Sequence, residues 1–97
     1  MAERLKDKVA IVTGAGRGIG AAIAERFAAE GAAVIIAERD AETGTAVADK
    51  LRGAGSKALF VKTDVTGEAS VEGAARTALS AFGRVDVLVN NAGINVF

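Results

Sequence analysis

The stretch Thr13-Gly14-Ala15-Gly16-Arg17-Gly18-Ile19-Gly20 places four glycines within seven positions, between an apolar run and an amphipathic one. The chemistry open to such a stretch is the binding of a phosphate. The first backbone N–H groups of a helix have no intrahelical partner, and the aligned peptide dipoles leave a partial positive charge at that end. An anion is drawn there, and the pyrophosphate of a dinucleotide fits a strand, a glycine turn and a helix in this order. Glycine serves twice. It permits backbone angles that other residues resist, and it leaves no side chain between the main chain and the anion. Turn geometry with close helix packing would also call for these glycines, so the surrounding elements carry the decision.

Those elements are in place. Val9-Ala10-Ile11-Val12 has the composition of a short buried strand, and Ile19, Ile23 and Phe27 recur every four residues along one helical face. The spacing Thr-Gly-x-x-x-Gly-x-Gly differs from the G-x-G-x-x-G fingerprint, although Gly16, Gly18 and Ala21 satisfy its looser form. An acidic residue is expected about 20 residues past the turn, at the end of a second strand, to accept the ribose hydroxyls. Glu38 meets this at the end of Ala33-Val34-Ile35-Ile36-Ala37. The first helix is expected from about Gly18 to Glu30, stopping at Gly31. Asp40 reads as the N-cap of a second helix carrying Val47 and Leu51, broken by Gly53 and Gly55. Ala58-Leu59-Phe60-Val61 makes a third strand, Val71, Ala75, Ala78 and Phe82 mark a third helix ended by Gly83, and Val85 to Val89 makes a fourth strand. Four strands alternating with three helices imply an α/β fold, a Rossmann-type parallel sheet with strand order 3-2-1-4 and right-handed crossovers. The order reverses between strands 1 and 4, so the crevice beyond their carboxyl ends is the expected ligand site. Residues 1–97 read as a single domain, the first half of a longer doubly wound one.

Composition removes several alternatives. Twelve basic and twelve acidic residues give a net charge of zero, which offers no basic footprint for nucleic acid or anionic lipid. With no Cys, His, Trp, Tyr or Pro, the chain cannot form disulfides, Cys/His zinc sites or a His- or Cys-based catalytic dyad of its own. No apolar run approaches membrane-spanning length, and the charged N-terminus has no signal-peptide core. No metal site, nucleic acid or membrane partner is expected, and a cytoplasmic setting is.

Three segments resemble the classical short-chain dehydrogenase/reductase family: Thr13 to Gly20, the Asp64-Val65 pair after the third strand, and Asn90-Asn91-Ala92-Gly93 after the fourth. The resemblance implies NAD or NADP as cofactor. It makes Gly14, Arg17, Gly18, Ile19 and Gly20 the cofactor-facing turn, and sets Glu38 and Arg39 beside the adenosine ribose. Asp64 would hold the adenine amino edge together with the Val65 backbone, where the alternative is simple turn capping. Asn90 would steady the central sheet while Ala92 and Gly93 approach the cofactor. Thr13 is expected to anchor the turn through its hydroxyl. In similar sequences an acidic residue at the position of Glu38 goes with NAD, and a basic one at the position of Arg39 goes with NADP. A guanidinium from Arg39 or Arg17 could pair with a 2′-phosphate for about 1.5–3 kcal/mol. Glu38 would repel the same phosphate by roughly 4 kcal/mol at about 4 Å and an effective dielectric near 20. The balance falls to NAD, with dual use open.

The family's general acid/base is a tyrosine in a Tyr-x-x-x-Lys motif, aided by a serine and an asparagine further along. This sequence has no tyrosine. Ser56, Ser70 and Ser80 lie in the wrong segments, and Lys50, Lys57 and Lys62 are in no such motif. No catalytic residue is therefore assigned, and the 97 residues alone are expected to be inactive. The resemblance implies a longer parent that transfers hydride between NAD(P) and a secondary alcohol or ketone, and that forms a homo-oligomer. The alternatives are a non-catalytic dinucleotide-binding module, an inactive truncated fragment, and a structural remnant that binds no dinucleotide.

Overall fold

Every residue of Val9–Thr13 (β1) and of Ala33–Glu38 (β2) is buried. Continuous apolar runs of this kind suit a parallel sheet covered on both faces. The computed structural model describes residues 4–64 and 68–91. Helices Gly18–Ala29 (α1), Ala41–Gly53 (α2) and Glu68–Phe82 (α3) alternate with the strands, followed by Ala58–Lys62 (β3) and Val87–Val89 (β4). The sheet order is β3-β2-β1-β4, and all three pairs are parallel, with Ile11 opposite both Ile35 and Leu88. The expected topology is the observed one.

The core divides along the sheet. On one face Val12, Val34 and Ile36 pack against Ala24 and Ala28 of α1 and Ala48 and Leu51 of α2. On the other, Val9, Ile11, Ile35 and Ala37 meet Ala74 and Ala78 of α3. The strands supply the bulk and the helices supply mostly alanine, so each helix lies close on the sheet. This corrects one sequence expectation. The spacing reads Ile19, Ile23 and Phe27 as one apolar helical face, but Ile19 is 73% exposed, and the buried α1 positions are Gly20, Ala24 and Ala28. Ile23 and Phe27 remain at the edge of the core. The inward stripe is displaced by one residue because close approach to the sheet favours the smallest side chains.

The fourth strand is also shorter than expected, starting at Val87 rather than Val85. The Val9 amide donates to the Asp86 carboxylate, Oδ2 at 2.8 Å, while the Asp86 amide donates to the Val9 carbonyl at 2.9 Å. A side chain there takes the place of a backbone acceptor, and the regular ladder begins one residue later. Val85 packs against the core below it.

Candidate functional site

The turn after β1 is shaped by two glycines with left-handed backbone, Gly14 at φ 65° and Gly18 at φ 60°. A non-glycine residue would be strained at either position. The Gly14 amide donates to the Ala37 carbonyl at 2.8 Å, which fixes the turn to the end of β2. Gly20 has a different requirement. A Cβ there would overlap the Gly14 carbonyl oxygen and stand 2.7 Å from Asn91 Nδ2, so the first turn of α1 can sit on the strand end only without one. Around Gly18, by contrast, a Cβ would meet nothing within 4 Å.

The N-terminus of α1 is electrostatically bare. Arg17 occupies the N-cap position in extended conformation with no side-chain cap bond, and the first turn has no acidic residue. The next helix differs. At α2 the Asp40 carboxylate accepts from the Glu42 and Thr43 amides, and Glu42 adds negative charge in the first turn. The α1 amides and its positive dipole end thus remain available to an external anion.

Glu38 lies against this turn. It is buried, with 8% exposure. Its Oε1 accepts from the Gly16 amide at 2.9 Å and its Oε2 from the Asp40 amide at 3.0 Å. The carboxylate at the end of β2 is thereby clasped between the glycine turn and the start of α2. Gly16 was outside the expected binding set, although the looser glycine pattern contained it; only the fold reveals its contact with Glu38.

The end of β4 closes the other side. The Thr13 hydroxyl lies within donating reach of the Val89 carbonyl at 3.2 Å and of Asn90 Oδ1 at 3.3 Å, and so ties β1 to β4. The Asn91 side-chain amide, part of the Asn90-Asn91-Ala92-Gly93 motif but outside the expected binding set, donates to the Gly14 carbonyl at 3.4 Å. Asn90 sits as expected at the strand end beside β1. Asp64 is exposed two residues past β3, after Thr63, whose amide donates to the Glu38 carbonyl at 3.0 Å. Arg17 and Arg39 are both exposed. Of the expected cofactor contacts, Val65, Ala92 and Gly93 lie outside the described residues. Gly14, Gly18, Gly20, Glu38 and Asn90 come together at the carboxyl ends of β1, β2 and β4, with Ile19 exposed on the first turn of α1.

A hollow lined by Lys8, Val9, Ala33, Lys57, Phe82 and Arg84 lies at the opposite pole. Fold geometry directs ligands to the carboxyl ends of the strands, which that hollow does not touch. Among the described residues no group of three or more His, Cys, Asp or Glu side chains could hold a metal ion, and no helix is long and apolar enough to cross a membrane.

Sheet order, crossovers and glycine turn define a Rossmann-type α/β fold. Residues 8–97 match the short chain dehydrogenase family, and the chain belongs to that family of oxidoreductases. Its relatives include the short-chain reductase protein NovJ of Streptomyces niveus, 52% identical over 90 residues that make up 93% of this chain and 34% of NovJ. The 2,5-dichloro-2,5-cyclohexadiene-1,4-diol dehydrogenase LinX of Sphingobium indicum is 48% identical over 94 residues, 97% of this chain and 38% of LinX. Among solved structures, a 7α-hydroxysteroid dehydrogenase complexed with NADH and 7-oxo glycochenodeoxycholic acid superposes with a TM-score of 0.86 at 41% identity, over 90% of this chain and 34% of that one. The chain therefore spans little more than a third of the length of these relatives.

Proposed function

We propose that these residues form the cofactor-binding half of an oxidoreductase that transfers hydride between NAD(P) and a secondary alcohol or ketone. The observation that carries this reading is the convergence, at the carboxyl ends of β1 and β2, of an uncapped helix N-terminus and a carboxylate. A pyrophosphate suits the first and a ribose diol suits the second. The fit is also steric: the space beside Gly18 would admit a phosphate close to the main chain, while Gly20 seats α1 firmly on the strand end. Family membership and the NADH-bound structural relative support the same cofactor class. NAD(P) would supply the hydride donor or acceptor. The residues described here would bind and orient it; the acid/base group and the substrate pocket would come from other parts of the full-length protein.

Glu38 argues for NAD over NADP. Its carboxylate is held at the turn by two backbone amides, whereas Arg17 and Arg39 are exposed. Replacing Glu38 by alanine should therefore weaken NADH binding by about tenfold or more, as expected for the loss of hydrogen bonds to a charged group, and reduce the discrimination against NADPH. Residues 1–97 acting as one unit, the absence of turnover from them alone, a cytoplasmic setting and homo-oligomerisation of the full-length protein belong to the same proposal.

The test is cofactor-dependent turnover by the full-length protein against a panel of secondary alcohols and ketones, with Gly18→Leu alongside. Turnover lost in the variant supports the reading. Dinucleotide binding without turnover on any alcohol or ketone would instead favour a non-catalytic binding module, and no dinucleotide binding would sink both.

A further inference from the structure

We infer that Gly16 is a specificity-determining positioning residue: its missing Cβ creates the seat in which the Glu38 carboxylate is held for the ribose diol of NAD. The inference rests on the reading of this site as a dinucleotide site. Gly16 is unlike its neighbours in the turn. Gly14 and Gly18 have left-handed backbone and Gly16 does not, so conformation alone would allow another residue there. Space would not. A Cβ at position 16 would stand 2.8 Å from both Cγ and Cδ of Glu38 and 2.5 Å from Thr43 Oγ1. On the far side, a Cβ at Gly44 would stand 3.1 Å from Glu38 Cβ and overlap the Phe60 ring. Glu38 therefore runs through a slot bounded by two glycines.

The seat sets the direction of the carboxylate's remaining acceptor sites. A carboxylate has about four lone-pair sites, two on each oxygen. One on Oε1 is taken by the Gly16 amide and one on Oε2 by the Asp40 amide. Each oxygen keeps one for a further donor, and two adjacent hydroxyls match that pair. A 2′-phosphate has no hydroxyl to donate at that carbon and brings like charge. A methyl group at position 16 displaces a flexible side chain rather than backbone, so the fold can absorb it while the carboxylate moves and loses the Gly16 amide.

The experiment measures NADH and NADPH dissociation constants and melting temperature for the full-length protein and for Gly16→Ala, Glu38→Ala and the double variant. Gly16→Ala should weaken NADH by about tenfold, the equivalent of one charged hydrogen bond, while changing NADPH by less than about threefold and leaving the protein folded. In the Glu38→Ala background the same substitution should have little further effect on NADH. Equal weakening of both cofactors, or an undiminished effect without Glu38, would overturn the inference and assign Gly16 to the shared pyrophosphate contact. If Gly16→Ala does not fold, Glu38→Asp supplies the reading, because its shorter side chain stops short of the Gly16 amide. It should lose NADH selectively, and unchanged NADH binding and selectivity would overturn the inference. A wild-type protein that binds neither dinucleotide overturns the site reading itself, a result distinct from either of these.

Discussion

Gly18 and Gly20 are two residues apart, yet their substitution should fail in different ways. A Cβ on Gly20 would overlap the backbone oxygen of Gly14, which cannot swing aside as a side chain can. Gly20→Ala should destabilise by about 2–4 kcal/mol, a magnitude typical of forced backbone shifts, and denaturant unfolding will read it. At Gly18 a Cβ would meet nothing within 4 Å, and Gly18→Leu is strained by the left-handed backbone at φ 60°. Its stability cost should be about 1–2 kcal/mol, while dinucleotide binding should be abolished. If Gly18→Leu bound NADH as the wild type does, the turn would not approach the pyrophosphate. The glycine pattern was legible as a candidate phosphate turn from spacing alone. The separate tasks of its members were not, because the obstacles are Glu38, Thr43, Gly14 and Asn91, and all but Gly14 are distant in sequence.

Between elements, polar groups at strand and helix ends fix the geometry that the apolar runs leave open. Asp40 caps α2 through the Glu42 and Thr43 amides. Asp40→Ala should cost about 1 kcal/mol, the usual value for a lost N-cap, measurable as a lower unfolding midpoint. The helix after β1 has no such cap, and that contrast is the electrostatic signature of the site. Strand order could be derived from sequence because alternating strands and helices with short connections admit few arrangements. Asp40 was readable as a cap for a similar local reason. The face of α1 was misread because large apolar residues at four-residue spacing usually point inward, whereas packing close to a sheet sends Gly20, Ala24 and Ala28 there. The start of β4 was misread because a carboxylate in place of a backbone acceptor leaves no trace in hydrophobic pattern.

Across the whole molecule, the two ends of the sheet have different work. At the amino end, Asp86 joins β1 to the segment before β4: it accepts from the Val9 amide and from Arg84, whose Nη2 lies 2.8 Å from Oδ1. The Arg84 hydrogen bonds, and then the Val9 amide, hold the Asp86 carboxyl below its ordinary value of 3.8. A depressed carboxylate stabilises the fold above its unfolded value, and the contribution is lost as pH falls through the folded one. The wild-type protein should therefore exceed Asp86→Asn in unfolding midpoint at neutral pH, with the difference shrinking as pH drops below 3.8; a constant difference would contradict this role. At the carboxyl end lie the glycine turn, the bare α1 N-terminus and the Glu38 clasp. The most direct test of the account is calorimetric titration of NADH into the full-length protein. The account predicts saturable binding with a dissociation constant between about 1 μM and 1 mM, the range common for enzyme ligands, and tighter than for NADPH. No heat of binding for either dinucleotide, from protein shown to be folded, would contradict it.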